Sequence, residues 1–129
     1  MNRSAKKIAV RRALIATAAL TTLFLTSASA ATPPSITLTP NPVTRGHLVV
    51  VKGSAGGCAV GNRVSILSKA FVHTHDFAGL PAVFARVKTN GRYRVTTKIP
   101  ARKRPGRYRV TARCGGGNFG IVKHLRVRR

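Results

Sequence analysis

Acidic side chains are almost missing from this sequence. There is no glutamate and a single aspartate, Asp76, against 24 Lys and Arg in 129 residues, giving a formal charge of +23. One carboxylate supplies neither the acid pair of a glycoside hydrolase nor the oxygen cage of a Ca²⁺ or Mg²⁺ site. A Ser-His-Asp set would have to use Asp76 beside its own neighbour His75, and Ser35, Ser54, Ser65 and Ser68 lack the context of a nucleophile elbow. Tryptophan is absent, and cysteine is limited to Cys58 and Cys114. Beyond residue 30 no extended helical period occurs, so there is no helix to enter a groove and read bases. These absences predict a chain with no enzymatic activity and no sequence-specific nucleic-acid recognition. The charge itself needs a reason, because small soluble domains usually carry a net charge of magnitude ~2–8.

The first thirty residues have the layout of a secretory signal. Arg3, Lys6, Lys7, Arg11 and Arg12 form a positive region, the stretch Ala13 to Leu25 is predominantly apolar, and Ser27-Ala28-Ser29-Ala30 supplies small residues for cleavage. The apolar stretch falls short of the roughly 20 residues a spanning helix needs. Residues 1–30 therefore read as a cleavable signal peptide and 31–129 as one domain, with no transmembrane helix in the mature chain. The Arg11-Arg12 pair leaves both the general and the twin-arginine export routes open. The expected location is extracellular, with retention at the cell envelope by charge. Five of the 24 Lys and Arg lie in the signal segment, which leaves 19 against Asp76 in the remaining 99 residues.

Export sends Cys58 and Cys114 into an oxidising environment, where an even count reads as a bridge. Closing a loop of this length stabilises a fold by roughly 4 kcal/mol in the loop-entropy account. No CxxC spacing suggests redox or metal chemistry.

Short β-branched runs then alternate with turn clusters, the rhythm of a sandwich or barrel. Seven strands are predicted, at 36–39, 48–52, 63–69, 82–88, 92–99, 107–114 and 121–127, with an irregular stretch over 70–81. A three-residue loop, Thr89-Asn90-Gly91, with Gly91 in the left-handed region, would pair Lys88 with Arg92, Val87 with Tyr93, Arg86 with Arg94 and Ala85 with Val95. Two of these are like-charge cross-strand pairs, each unfavourable by up to ~1 kcal/mol. A protein selected for stability alone would not keep them.

The segments Val49 to Cys58 (VVVKGSAGGC), Asn90 to Ile99 (NGRYRVTTKI) and Pro105 to Cys114 (PGRYRVTARC) resemble the secreted bacterial immunoglobulin-like domains common in actinobacteria. The resemblance covers nearly all of 31–129 and implies a seven-stranded, antiparallel Ig-like β-sandwich with one disulfide. It transfers no active site, since such domains serve as spacers, adhesion modules and ligand carriers. Tyr108 stands six residues before Cys114 rather than two, and no core Trp is present, both departures from the antibody pattern. The leader Ser35 to Pro40 is also similar to that of enediyne-carrying apoproteins, although those have two disulfides and an acidic balance.

The arginines carry the functional expectation. Alternation sets Arg86, Lys88, Arg92 and Arg94 on the outer side of the expected hairpin, and Arg107, Arg109 and Arg113 on that of the next strand. Arg126 and Arg128 repeat the pattern, and Arg102, Lys103 and Arg104 crowd one turn. Guanidinium forks hold phosphate or carboxylate oxygens in pairs, and a field this positive gathers polyanions. The expected partner is an anionic polymer or surface: a cell-wall polymer, acidic polysaccharide, extracellular nucleic acid or anionic lipid. A rival reading is a small-molecule or metal carrier built on the 71–77 loop. There His73, His75 and Asp76 would hold Zn²⁺ or Cu²⁺, with His47 or His124 as distant contributors. A third is a cationic membrane-active protein, although the amphipathic helix usual for that activity is lacking. No cofactor is otherwise implied. The glycine-rich segment 115–120 joins two strands, so it reads as a loose hairpin and not as a phosphate-cradling loop.

Overall fold

Alternating residues become strands here because one side of each run meets an apolar layer and the other meets water. The computed structural model describes residues 32–129, so the signal peptide assigned to 1–30 lies outside the described residues. Nine strands form in chain order: β1 (Thr37–Thr39), β2 (Val43–Thr44), β3 (Leu48–Ser54), β4 (Arg63–Leu67), β5 (Asp76–Phe77), β6 (Leu80–Arg86), β7 (Arg92–Lys98), β8 (Gly106–Cys114) and β9 (Gly117–Arg128). No helix occurs among the described residues, so none there is long and apolar enough to cross a membrane.

The strands divide into a small sheet of order β1-β3-β7 and a large sheet of order β2-β9-β8-β4-β6-β5. One core lies between them: Val49, Val51 and Tyr93 enter from the small sheet, and Val64, Ile66, Val110, Ala112, Leu125 and Val127 from the large one. Cys58, in the loop after β3, is bonded to Cys114 at the end of β8, with their Cα atoms 5.9 Å apart. That bond ties the loop between β3 and β4 to the large sheet.

The seven-stranded sandwich expected from the sequence is corrected in two respects. Among the described residues there are nine strands, and the larger sheet curls into a half-barrel. The added strands, β2 and β5, are two residues long, too short to produce an alternation in sequence. A register shift between Thr111 and Arg113 interrupts the β8–β9 ladder, and such irregularities bend a strand and increase its twist.

Beyond β1 the chain changes sheets. Val43 and Thr44 of β2 pair in parallel with Val127 and Arg128 of β9. The Asn41 amide continues that edge, donating to the His124 carbonyl at 2.9 Å and accepting from the Arg126 N–H at 3.0 Å.

The hairpin expected between residues 85 and 95 is also corrected. Its turn forms: Gly91 has a φ of +73°, and the Lys88 N–H donates to the Arg92 carbonyl at 2.8 Å. The ladder does not continue. Val87 exchanges hydrogen bonds with Gly61 and Asn62 instead, and the two strands part into different sheets. β6 pairs with β4, setting Arg86 opposite Arg63 and Ala85 opposite Val64. β7 pairs over its whole length with β3, setting Arg94 opposite Lys52, Val95 opposite Val51 and Tyr93 opposite Gly53. Alternation dictates which side of a strand is buried but not which neighbour completes its hydrogen bonds.

Candidate anion-binding faces

Because β6 and β7 part, the cations are dealt onto two outer faces. The small sheet carries Lys52, Arg92, Arg94 and Lys98. The large sheet carries seven arginines on its outer side: Arg63 on β4, Arg86 on β6, Arg107, Arg109 and Arg113 on β8, and Arg126 and Arg128 on β9. Their inward neighbours on β8, Val110 and Ala112, are fully buried, which holds the strand's facing in place.

Like charges stand directly opposite one another in three cross-strand pairs, Arg63 with Arg86, Lys52 with Arg94, and Arg107 with Arg126. Arg109 faces His124. Several guanidinium groups are held by other partners. Arg86 donates to the Gly61 carbonyl at 2.9 Å, and Arg63 lies over the Phe84 ring at 4.4 Å from its centroid. Arg113 lies over Phe77 at 5.6 Å, and Arg128 reaches the Thr44 hydroxyl at 3.4 Å.

The basic turn is continuous with the β8 row. An open depression of about 400 Å³ is lined by Lys69, Pro100, Arg102, Lys103, Arg104 and Tyr108. A second, of about 590 Å³, shares Lys69 and Tyr108 with it and runs past Arg107 and Arg109 over an apolar floor that includes Leu67 and Leu80. Two anchors fix the turn beside this path. The Tyr108 hydroxyl donates to the Arg104 carbonyl at 2.6 Å, and the Lys103 ammonium donates to the Lys69 carbonyl at 2.7 Å. Lys88 belongs to the turn between β6 and β7.

Sequence reasoning passed over Arg63, Lys52, Lys69 and Lys98. The signal for Arg63 was present in the alternation of β4, where Val64 and Ile66 go inward and Arg63 and Ser65 outward. Lys69 had no such signal, because β4 ends at Leu67 and the residues beyond it leave the ladder.

The residues proposed for metal do not converge. His73 Nε2 lies 3.0 Å from Asp76 Oδ2, both side chains largely exposed, whereas His75 packs against Phe84 with ring centroids 5.5 Å apart. His47 lies in the turn before β3 and His124 on β9. Among the described residues no group of three or more His, Cys, Asp or Glu is placed to hold a metal ion.

Tyr93 is a deeply buried polar side chain of the small sheet. It is 1% exposed, and its hydroxyl donates to the Ser35 carbonyl at 2.7 Å. Burial pushes its pKa up from 10.0 to about 12. Ser35 is held at every polar atom: its N–H donates to the Ser54 carbonyl at 3.0 Å, and its hydroxyl accepts the Ser54 N–H at 2.9 Å.

No family model matches this chain, and no curated protein matches it. Among solved structures it is similar to the alkylpurine DNA glycosylase AlkC of Pseudomonas fluorescens bound to DNA containing an abasic site analog. The TM-score is 0.47 at 17% identity, over 74% of this chain and 29% of that one. This chain thus corresponds to less than a third of that protein's length. The sequence expectation of no enzymatic activity is withdrawn, because the neighbour is itself an enzyme. At this TM-score the likeness carries no argument for what the present chain does.

Proposed function

We propose that this chain is a secreted immunoglobulin-like domain that adheres through its Arg/Lys-rich sheet faces to an anionic polymer or surface. The observation that carries the reading is the exposed Arg107–Arg126 pair, directly opposed across β8 and β9 in a row of arginines with no acid beside it. Asp76, the one acidic side chain in the sequence, is engaged by His73. Opposed like charges are unfavourable by up to ~1 kcal/mol per pair, and a polyanion spanning them removes that repulsion while releasing its own counterions.

The immunoglobulin-like part of the reading is supported by strand order. β9-β8-β4 in one sheet and β1-β3-β7 in the other match the G-F-C and A-B-E neighbours of such sandwiches, with β6 added beside β4. The edge strand β5 departs from the variable-type order, since it precedes β6 in the chain. The Tyr108 tether to Arg104, four residues upstream at the start of β8, serves as a tyrosine corner does. Secretion is supported by the signal-like pattern over residues 1–30 and by the disulfide.

The test is retention on heparin and on isolated anionic wall polymer across a salt series. Strong retention at low salt that falls steeply as salt rises is expected. No retention at low salt, or retention indifferent to salt, overturns the reading.

A further inference from the structure

On the outer side of the large sheet, beside the turn that links β8 to β9, two arginines flank Ser65. Arg63 is two residues away on the same side of β4, and Arg113 is the direct cross-strand partner of Ser65 on β8. Each guanidinium rests on a phenylalanine, Arg63 on Phe84 and Arg113 on Phe77. A ring beneath a guanidinium fixes its plane and leaves its N–H edge free to donate, so both forks are oriented in advance.

Beside Arg63 opens a cavity of about 580 Å³ lined by Asn62, Arg63, Ser65, Phe77, Gly115 and Gly116. Arg113 does not line this cavity but borders it through Ser65, its cross-strand partner, and Phe77, over whose ring it lies. The cavity mouth is unobstructed at the two glycines, where an added Cβ would meet nothing within 4 Å. Arg113 differs from the other arginines of this face. It is half-buried, and its Nε is enclosed without a hydrogen-bond partner. An enclosed donor with no acceptor is unfavourable in any fold, and a charged one more so. Asp76 does not relieve it: alternation along β5 directs Asp76 to the side opposite Phe77, and His73 holds it.

We propose that this cleft is a discrete site for one phosphate group, received by the Arg63 and Arg113 forks and the Ser65 hydroxyl. Two guanidinium groups around one hydroxyl match a compact dianion with several acceptor oxygens better than a single carboxylate. The site is stoichiometric and local, unlike adhesion along the arginine rows, and it does not depend on that adhesion.

Titration of the purified chain with inorganic phosphate, followed by calorimetry and by backbone amide NMR shifts, tests it. Saturable one-to-one binding is expected, with shifts centred on Arg63, Ser65, Arg113 and Gly115. Arg63→Gln and Arg113→Gln should each weaken binding about tenfold or more, whereas Arg126→Gln, on the same face but outside the cleft, should leave it within about twofold. Arg113→Lys keeps the charge and loses the fork, and it should also weaken binding. Arg63 is exposed, so its variant reports even where Arg113 variants fail to fold. Equal losses from Arg63→Gln and Arg126→Gln, or shifts spread over both sheet faces, would show a diffuse field and overturn the proposal. Arg63→Gln and Arg126→Gln each remove one cation from the same face and should lower the salt needed for heparin elution to a similar, small extent; only phosphate binding should tell them apart, which keeps this outcome separate from the test of polymer adhesion.

Discussion

Arg107 and Arg126 face each other across the β8–β9 ladder with both side chains exposed. Replacing one by an acid should act in opposite directions on stability and on binding. Arg126→Glu turns a repulsive pair into an attractive one, and urea unfolding at low salt should show a gain of a few tenths to about 1 kcal/mol. The same variant should elute from heparin at lower salt. Loss of stability in Arg126→Glu would remove the argument that these pairs are kept at a cost to the fold.

The two sheet faces should not contribute equally to adhesion. The basic turn and the β8 row form one path through Lys69 and Tyr108, whereas Arg92 and Arg94 stand on the other sheet. A triple variant of Arg102, Lys103 and Arg104 to Gln should lower the salt dependence of binding to a single-stranded nucleic-acid probe by about 0.7 in log–log slope per lost contact. Arg92→Gln with Arg94→Gln should change it less. Equal slopes for the two variants would show that position on the surface does not matter.

Strand alternation made most of the sheet residues legible: β3, β4, β7 and β8 begin and end close to where periodicity puts them, and most of their buried residues are apolar, with Ser54, Ser65 and Thr97 as buried polar exceptions. The turn at Gly91 was legible because its geometry is local. The partners of β6 and β7 were not, since Arg86 points outward equally well beside Arg94 or beside Arg63. Lys69 and the Phe77–Arg113 and Phe84–Arg63 contacts depend on residues distant in sequence meeting across strands. No single segment encodes them.

Tyr93 should make stability fall in alkali. Its folded pKa is raised to about 12 from 10.0, so the neutral hydroxyl's contribution is intact below pH 10 and is lost as pH rises towards 12. The expected loss from this group is about 2–3 kcal/mol across that window. Tyr93→Phe should lower stability at neutral pH by about 1 kcal/mol through the lost bond to Ser35. It should also flatten the alkaline decline, which urea unfolding at several pH values measures.

Gly53 is required by Ser35. A Cβ at Gly53 would run into the Ser35 carbonyl carbon and oxygen, the oxygen being the one that accepts from Tyr93. Gly53→Ala should therefore destabilise by about 1–3 kcal/mol and loosen the segment before β1. Amide exchange at Ser35 and Ser54 should quicken in that variant, whereas Gly57→Ala, where a Cβ meets nothing within 4 Å, should leave both amides protected.

Reduction of the Cys58–Cys114 bond frees a loop with a sequence separation of 56. The reduced chain should be less stable by roughly 4 kcal/mol, and thermal unfolding with and without reductant measures the difference.

The engagement of Asp76 by His73 bears on how copies of the molecule meet. With one carboxylate per domain, and that one beside His73, two domains have little acid to offer one another, and an approach of basic face to basic face sets guanidinium or ammonium against its own kind. Under the proposed adhesion, an anionic template would supply the opposite sign that the proteins scarcely offer one another. The spacing of neighbouring molecules would follow the template's own charge interval rather than any contact between the proteins.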